Sequence, residues 1–155
     1  QARRIFGTYL DILNILWAFR YRVYLHLSAE EIVNYTLWST VRTDADLVRE
    51  IALGALPSTI LMRVWGEHAF DRPVLDRIDS LDGIHMMPLL EKTLLSYWRS
   101  LAKQEMSGYP YKLGVLIGYL VLEELEIQDL VTLLEGKGMG WEPAQIKQHL
   151  VREEA

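Results

Sequence analysis

The sequence predicts an all-α fold built from helical pseudo-repeats, with no sheet. Apolar residues recur at three- and four-residue spacing in every long segment, and strand-like alternation never persists for more than a few residues. A further observation is internal: residues 10–32 and 124–146 carry the same order of features about 114 positions apart. In each, an amphipathic helix with Asn or Asp inside an aliphatic stripe is followed by a break and a new helix start. Such repeats usually build scaffolds or interaction surfaces rather than catalytic pockets.

Composition is that of a compact globular chain. Half of the 155 residues are hydrophobic and 24% are charged, which excludes disorder. The absence of Cys excludes a disulfide framework, a thiolate nucleophile and a cysteine metal site, and is consistent with a reducing compartment. A net charge of −5 argues against binding to nucleic acid or to an anionic membrane surface.

The first half of the chain is predicted to contain four helices. The first runs from about Arg4 to Tyr24, with an apolar face formed by Tyr9, Ile12, Leu13, Leu16, Phe19 and Val23. The next three start at helix-opening residues: Ser28 before an acidic first turn, the Thr43–Asp46 segment, and Ser58 after a break at Gly54 to Pro57. The fourth helix is expected to end at Trp65.

Turn residues cluster between Glu67 and Asp82, and this cluster predicts the boundary between two pseudo-repeats. Residues 1–66 would form an incomplete repeat, and residues 67–155 a fuller one with a long helix hairpin, the two packed as one unit. In the second, Asp71-Arg72-Pro73 opens a short segment that reaches Ile78.

The hairpin of the second repeat is predicted from its apolar periodicity and turn residues. Its helices are expected to span Met86 to Met106, with Pro88 near the first turn, and Leu113 to Glu135, separated by Ser107-Gly108-Tyr109-Pro110. A flexible break at Gly136 to Gly140 then precedes a last short helix that begins at Glu142-Pro143-Ala144.

No membrane span is expected. The longest apolar stretch, Leu113 to Leu122, is about half the length that a bilayer requires, and Glu123-Glu124 closes it. The first residues do not form a signal peptide, because the apolar run after Arg3-Arg4 is broken by Gly7 and Asp11. Contact with a membrane would have to come through a partner protein.

No set of residues predicts catalysis, a metal site or a cofactor. The four His residues are not spaced to place two imidazoles on one helix face. Gly136-Lys137-Gly138-Met139-Gly140 follows a helix and lacks the spacing of a phosphate-binding loop. Adjacent carboxylates such as Glu123 and Glu124 project about 100° apart on a helix, so they predict a solvated or partner-facing edge.

Two segments carry a family resemblance. The first segment consists of Leu13-Asn14-Ile15, Arg20-Tyr21 and residues 27–37 (Leu-Ser-Ala-Glu-Glu-Ile-Val-Asn-Tyr-Thr-Leu). The second runs from Gly114 through Glu124-x-Glu126-Ile127-x-Asp129-Leu130 to Gly136-Lys137. Together they resemble the family of the C-type subunit, also called the d-type or 39 kDa subunit, of V/A-type ATPases and ATP synthases. Members of this family are considerably longer, so we expect the chain to be a C-terminal fragment.

The resemblance implies a non-catalytic central-stalk subunit, not an enzyme. Such a protein links the rotor shaft to the membrane proteolipid ring, and so couples ATP hydrolysis or synthesis to proton or sodium transport. It would be cytoplasmic and peripheral to the membrane through the ring. Alternatives left open are a helical scaffold or adaptor of another assembly, and an enzyme whose His and carboxylate residues converge in a pocket.

Arg20, Tyr21, Arg22, Gly136 and Lys137 are the candidates for contact with the shaft or the ring. They lie at the helix–break–helix joints of the two related segments, and Arg and Tyr are enriched at protein interfaces. The alternative for the arginines is that they cover a helix end with solvated charge.

Overall fold

The computed structural model describes residues 2–107 and 112–152 and confirms the all-α fold. Within these ranges the chain forms eight helices and no strand, with a lone antiparallel bridge between Ser39 and Asp44. The helices are α1 (Ala2–Tyr24), α2 (Ala29–Tyr35), α3 (Ala45–Ala52), α4 (Pro57–Trp65), α5 (Arg72–Ser80), α6 (Gly83–Met106), α7 (Leu113–Gly138) and α8 (Pro143–His149).

The described chain folds as two compact units. Residues 6–91 form the first unit, and residues 2–5, 92–107 and 112–152 form the second. Helices α1 and α6 each contribute residues to both units. No helix of the described ranges is long and apolar enough to cross a bilayer.

The first unit is built around α1. Between Gly7 and Phe19 only Leu10 is exposed, so this stretch of α1 is enclosed on nearly all sides. The largest fully buried aliphatic side chains of the unit outside α1 are Ile32, Ile51, Ile60, Leu61, Leu75, Ile78 and Leu90. Burial of each such side chain is worth about 1.5–3 kcal/mol relative to exposure. Because α1 is central, polar groups on its buried faces require partners within the protein.

The second unit depends on close approach of α6 and α7. A Cβ atom on Gly118 would lie 2.8 Å from the carbonyl oxygen of Ala102 and 2.9 Å from Cγ of Met106, which leaves room for glycine alone. Around this contact the buried residues are Leu94, Trp98, Leu101, Ile117, Val121 and Leu125. The indole Nε1 of Trp98 donates a hydrogen bond to the carbonyl oxygen of Ile5 at 3.1 Å.

Two predicted helix starts are confirmed in detail. At the start of α2, the Ser28 hydroxyl accepts a hydrogen bond from the Glu31 amide, and the Glu31 carboxylate accepts one from the Ser28 amide at 2.9 Å. At the start of α3, the Asp44 carboxylate accepts a hydrogen bond from the Leu47 amide at 2.9 Å. Each interaction satisfies an amide that the helix itself leaves unpaired.

Helix α6 starts earlier than predicted, at Gly83 rather than Met86. Asp82 is the reason: its carboxylate accepts a hydrogen bond from the His85 amide at 3.0 Å, and its carbonyl accepts one from the Met86 amide at 2.8 Å. Pro88 therefore lies inside the helix, where it removes one backbone hydrogen bond. The predicted turn at Ser107–Pro110 follows the last residue of α6, and its residues 108–110 lie outside the described ranges.

The predicted break at Gly136 to Gly140 is also displaced, because α7 continues to Gly138. Gly136 belongs to the last turns of the helix, and a Cβ atom there would lie 2.8 Å from Cγ1 of Ile146 in α8. Only Gly140, beyond the helix end, has a positive φ of 72°. The first two glycines of the segment thus serve helix packing and helix continuation, not a flexible loop.

Candidate functional site

A polar cluster at the centre of the first unit fixes the loop between α2 and α3. Asn14 of α1 is fully buried, and its amide oxygen accepts a hydrogen bond from the Leu37 amide at 2.8 Å. Its Nδ2 donates to the Leu37 carbonyl at 3.0 Å and to the Thr43 hydroxyl at 2.8 Å. One side chain therefore holds both ends of the loop against the central helix.

Asp11 lies one turn earlier on the same face and is also fully buried. Its Oδ1 accepts hydrogen bonds from the Arg42 amide at 2.9 Å and from the Thr40 hydroxyl. Its Oδ2 has no hydrogen-bond partner among the residues that the structure describes. Arg42 then extends outward, and its Nη1 donates to the Val64 carbonyl at the end of α4, 3.0 Å away. The loop is thus tied both to α1 and to α4.

The second unit contains the same arrangement at its own helix–break–helix joint. Asp129 of α7 accepts hydrogen bonds from the Val151 amide at 2.7 Å and from the Arg152 amide at 2.9 Å. Leu37 and Val151 each directly follow the C-cap residue of a seven-residue helix, α2 or α8. Each joint therefore has a long helix whose Asn or Asp holds the chain just after the short helix.

The register of the two joints agrees closely. Helices α2 and α8 begin at Ala29 and Pro143, 114 positions apart (143 − 29), and both have a polar N3 residue that accepts a hydrogen bond from the N-cap amide. Ile32 and Ile146, at equal positions in these helices, are both buried. The acceptors Asn14 and Asp129 differ by one further position. The sequence pattern identified these polar residues, but it carried no signal for their backbone partners.

The structure gives internal partners to the three candidate residues at the end of α1. Arg20 pairs with Glu91, with 2.7 Å between Nη2 and Oε1. Arg22 donates to the carbonyls of Ile51 and Ala55, at 2.6 and 3.2 Å.

Aromatic rings complete the surroundings of this edge. The Arg22 guanidinium lies 4.9 Å from the centre of the Phe19 ring, and partial burial lowers the pKa of Arg22 from its ordinary value. Tyr21 packs edge-on against Tyr35, with 6.2 Å between ring centres. Arg22 thus holds the C-terminal end of α3, while Arg20 and Tyr21 remain partly accessible.

The two candidates at the other joint differ from each other. Gly136 is buried against Ile146 and cannot itself offer a surface to a partner. Lys137 is exposed on the last turn of α7. Arg20 and Arg22 lie in the first unit, whereas Gly136 and Lys137 lie in the second.

No group of three or more His, Asp or Glu residues in the described ranges is placed to hold a metal ion. A groove of about 290 Å³ in the second unit is lined by both cations and carboxylates, including Arg99, Arg152, Glu123 and Glu126. Arg152 lies 3.8 Å from Glu126 in an exposed ion pair.

The described ranges form an all-α fold with the same polar tie at two helix–break–helix joints. The family model for the ATP synthase (C/AC39) subunit matches residues 1–149. The chain belongs to this family, as the motif resemblance predicted, and is a subunit of a V/A-type rotary ATPase. Comparisons with curated proteins and with solved structures returned no match.

Proposed function

We propose that the protein is the non-catalytic central-stalk subunit that connects the rotor shaft to the membrane proteolipid ring. In this role it transmits rotation between the ATP-hydrolysing or ATP-synthesising sector and the ring that carries protons or sodium ions. It would be cytoplasmic and held at the membrane by the ring alone. Its partners would be the shaft subunits and the ring, with no nucleic acid and no direct bilayer span.

The observation that carries this proposal is the family membership together with the two tied joints. A coupling part must keep its shape under torque, and irregular segments are normally the most mobile parts of a fold. Here Asn14 and Asp129 hold the segments after α2 and α8 by hydrogen bonds to their backbones. Densely packed helices transmit strain because their interiors are hardly compressible. We propose that the repeats predicted at 1–66 and 67–155 reflect this duplicated joint.

Within this role, we propose that the Arg20-Tyr21-Arg22 edge and the Gly136-Lys137 end of α7 border the surfaces used for the shaft or the ring. Arg20, Tyr21 and Lys137 are the members that a partner can reach. Arg22 and Gly136 support the backbone behind them. A partner carboxylate would meet Arg20 in place of, or together with, Glu91.

A charge swap separates an interface role of Arg20 from a purely internal one. R20E breaks the internal pair and reverses the surface charge, while R20E/E91R restores an internal pair with Glu at position 20. If Arg20 contacts a partner, both variants should lose roughly tenfold or more in association, about 1–3 kcal/mol. Recovery in the double variant would mean that Arg20 serves only the fold. Circular dichroism and thermal unfolding show whether each variant is folded.

The proposed function itself is tested by binding of the full-length protein to purified ring and purified shaft subunits. The expected result is that each partner binds alone and that the protein bridges the two in a ternary complex. Binding to neither partner would leave a role as helical adaptor elsewhere in the complex and would overturn the proposal.

A further inference from the structure

Helix α7 has a second apolar face that nothing in the described structure covers. Its buried face contains Ile117, Val121 and Leu125, which pack within the second unit. Successive residues of an α-helix are rotated by about 100° around its axis. This rotation places a second set of large apolar side chains on the side of α7 away from the buried face. This α7 stripe consists of Leu113, Leu116, Leu120, Ile127, Leu130 and Leu134, each 55–68% exposed. A helix that is apolar on both sides is ordinarily buried on both sides.

The spacing of the α7 stripe is that of a helix–helix seam. Its positions advance by alternating steps of three and four residues if Glu123 is counted between Leu120 and Ile127. This is the pattern by which one helix packs along another over several turns. The stripe extends about 30 Å from Leu113 to Leu134. Its members form one continuous apolar patch, whereas exposed apolar residues on a protein surface are normally scattered singly.

The middle of the α7 stripe is acidic. Glu123 occupies the one polar position of the seam, with Glu124 and Glu126 beside it, and α7 contains no Lys or Arg between Leu113 and Gly136. Glu126 is approached by Arg152, whereas no cation of the described residues pairs with Glu123 or Glu124. Glu123 accepts a hydrogen bond from the Tyr119 hydroxyl, and this carboxylate raises the pKa of Tyr119.

This charge distribution disfavours a second copy of the chain as the partner of the stripe. Two copies paired by a two-fold axis would match Leu120 of one with Ile127 of the other. The axis would then pass near Glu123, and the Glu123 carboxylates of the two copies would face each other at the centre of an apolar seam. Like charges brought together in an apolar contact strongly disfavour association. The stripe instead complements a helix with a basic residue at its centre.

We propose that the α7 stripe binds an amphipathic helix of another subunit, whose apolar seam is interrupted at its middle by Lys or Arg. The apolar residues on either side of Glu123 would pack against the two ends of that helix. The basic residue would pair with Glu123 and, beside it, Glu124. This inference rests on the proposed function only in taking the partner to be a subunit of the same complex.

Site-specific crosslinking in the assembled complex identifies the occupant. The described chain has no cysteine, so L116C and I127C introduce thiols into the stripe at positions that the core does not use. A photoactivatable thiol reagent is attached, the complex is assembled, and crosslinked peptides are mapped by mass spectrometry. The matched control is S100C, exposed on α6 and away from the stripe.

The expected product joins both stripe positions to one helix of a different subunit, with Lys or Arg between the two crosslinked sites. Crosslinks to another copy of this protein, to another segment of the same polypeptide, or to lipid would each overturn the proposal. An equal yield of crosslinked product from S100C and from the stripe positions would also overturn the proposal.

Charge reversal supplies a second, independent test. E123K should weaken association with the identified subunit roughly tenfold or more, and a Glu in place of that subunit's central basic residue should restore it. E67K, an equal change at an exposed residue of the first unit, should leave association unchanged. Unchanged binding of E123K would contradict the docking assignment.

These results are distinguishable from failure of the proposed function. If the protein does not bridge shaft and ring but the stripe crosslinks to a helix of another subunit, the coupling role is wrong and the helix-binding role of the stripe stands. If the protein bridges shaft and ring but the stripe gives no crosslink, the helix-binding role is wrong and the coupling role stands.

Discussion

At the scale of single residues, Asn14 and Asp129 are the side chains on which the irregular segments depend. Each is a polar residue of a long helix, and each replaces water as the partner of backbone groups that follow a short helix. A buried backbone amide without a partner costs free energy, so the helix residue and the loop must fold together. The loop 37–43 therefore gains its order from α1 more than from its own sequence.

Replacement of Asn14 by alanine should destabilise the protein by about 2–4 kcal/mol. The change removes the hydrogen bonds of Asn14 to the Leu37 amide, the Leu37 carbonyl and the Thr43 hydroxyl, and a buried polar group left unpaired costs about 1–3 kcal/mol. Urea unfolding monitored by circular dichroism measures the effect. N34A, at an exposed position of α2, should change stability by less than about 0.5 kcal/mol. Equal stability of the two variants would show that the loop does not depend on Asn14.

The sequence predicted helices and their starts better than the contacts between them. Ser28 and Asp44 could be identified as caps because a cap depends on residues only three positions away. The start of α6 was predicted at Met86, but the Asp82 carboxylate caps the helix three residues earlier, and α6 begins at Gly83. The partners of Arg20 and Arg22 are 71 and 29 residues distant, and no local pattern specifies such pairs.

At the scale of elements, the start of α6 depends on the ionised form of Asp82. Hydrogen bonds from the His85 amide and ring lower the pKa of Asp82 from its ordinary value. A carboxylate whose pKa is lower in the folded state stabilises that state above its unfolded pKa, and the contribution is lost as the pH falls through the folded pKa. The first turn of α6 should therefore become less ordered in acid.

Amide hydrogen exchange at His85 and Met86 follows this change. Protection of these amides should fall on acidification in the native protein, relative to amides in the middle of α6. In D82N, which cannot ionise, the acid-dependent part should disappear. If the native protein and D82N show the same dependence on pH, another group controls the helix start.

The contact between α6 and α7 predicts opposite results for two glycines of the same helix. G118A should destabilise the second unit by about 1–3 kcal/mol, because the new methyl group meets the Ala102 backbone and that contact has little room to relax. G138A meets no atom within 4 Å, so it should be neutral or stabilise by up to about 1 kcal/mol through helix propensity. Thermal unfolding of both variants compares them directly. Equal effects would contradict the close packing at Gly118.

The α7 stripe shows a further limit of sequence reasoning at this scale. The sequence shows Leu113 to Leu122 as an apolar run. Such a run does not distinguish the helix face that packs within the fold from a face that is left exposed. Only the exposed fractions of Leu116, Leu120 and Ile127 separate the face used by the fold from the face left open.

At the scale of the whole molecule, the proposed coupling role requires a stiff fold that binds its partners on more than one surface. The family assigns the chain to a rotary ATPase, and the helices supply packed interiors with tied joints at the ends of α2 and α8. A coupling protein of this kind needs no reactive group. Loss of the protein should therefore separate ATP hydrolysis from ion transport, two activities of the complex that normally occur together.

The most direct test measures ATP hydrolysis and ATP-driven ion transport in vesicles that contain the complex with and without the full-length protein. The account predicts that removal of the protein abolishes transport while hydrolysis by the shaft-bearing sector persists, and that adding the protein back restores transport. Transport that continues without the protein would contradict the coupling role. Loss of hydrolysis from an otherwise intact catalytic sector would contradict the non-catalytic one.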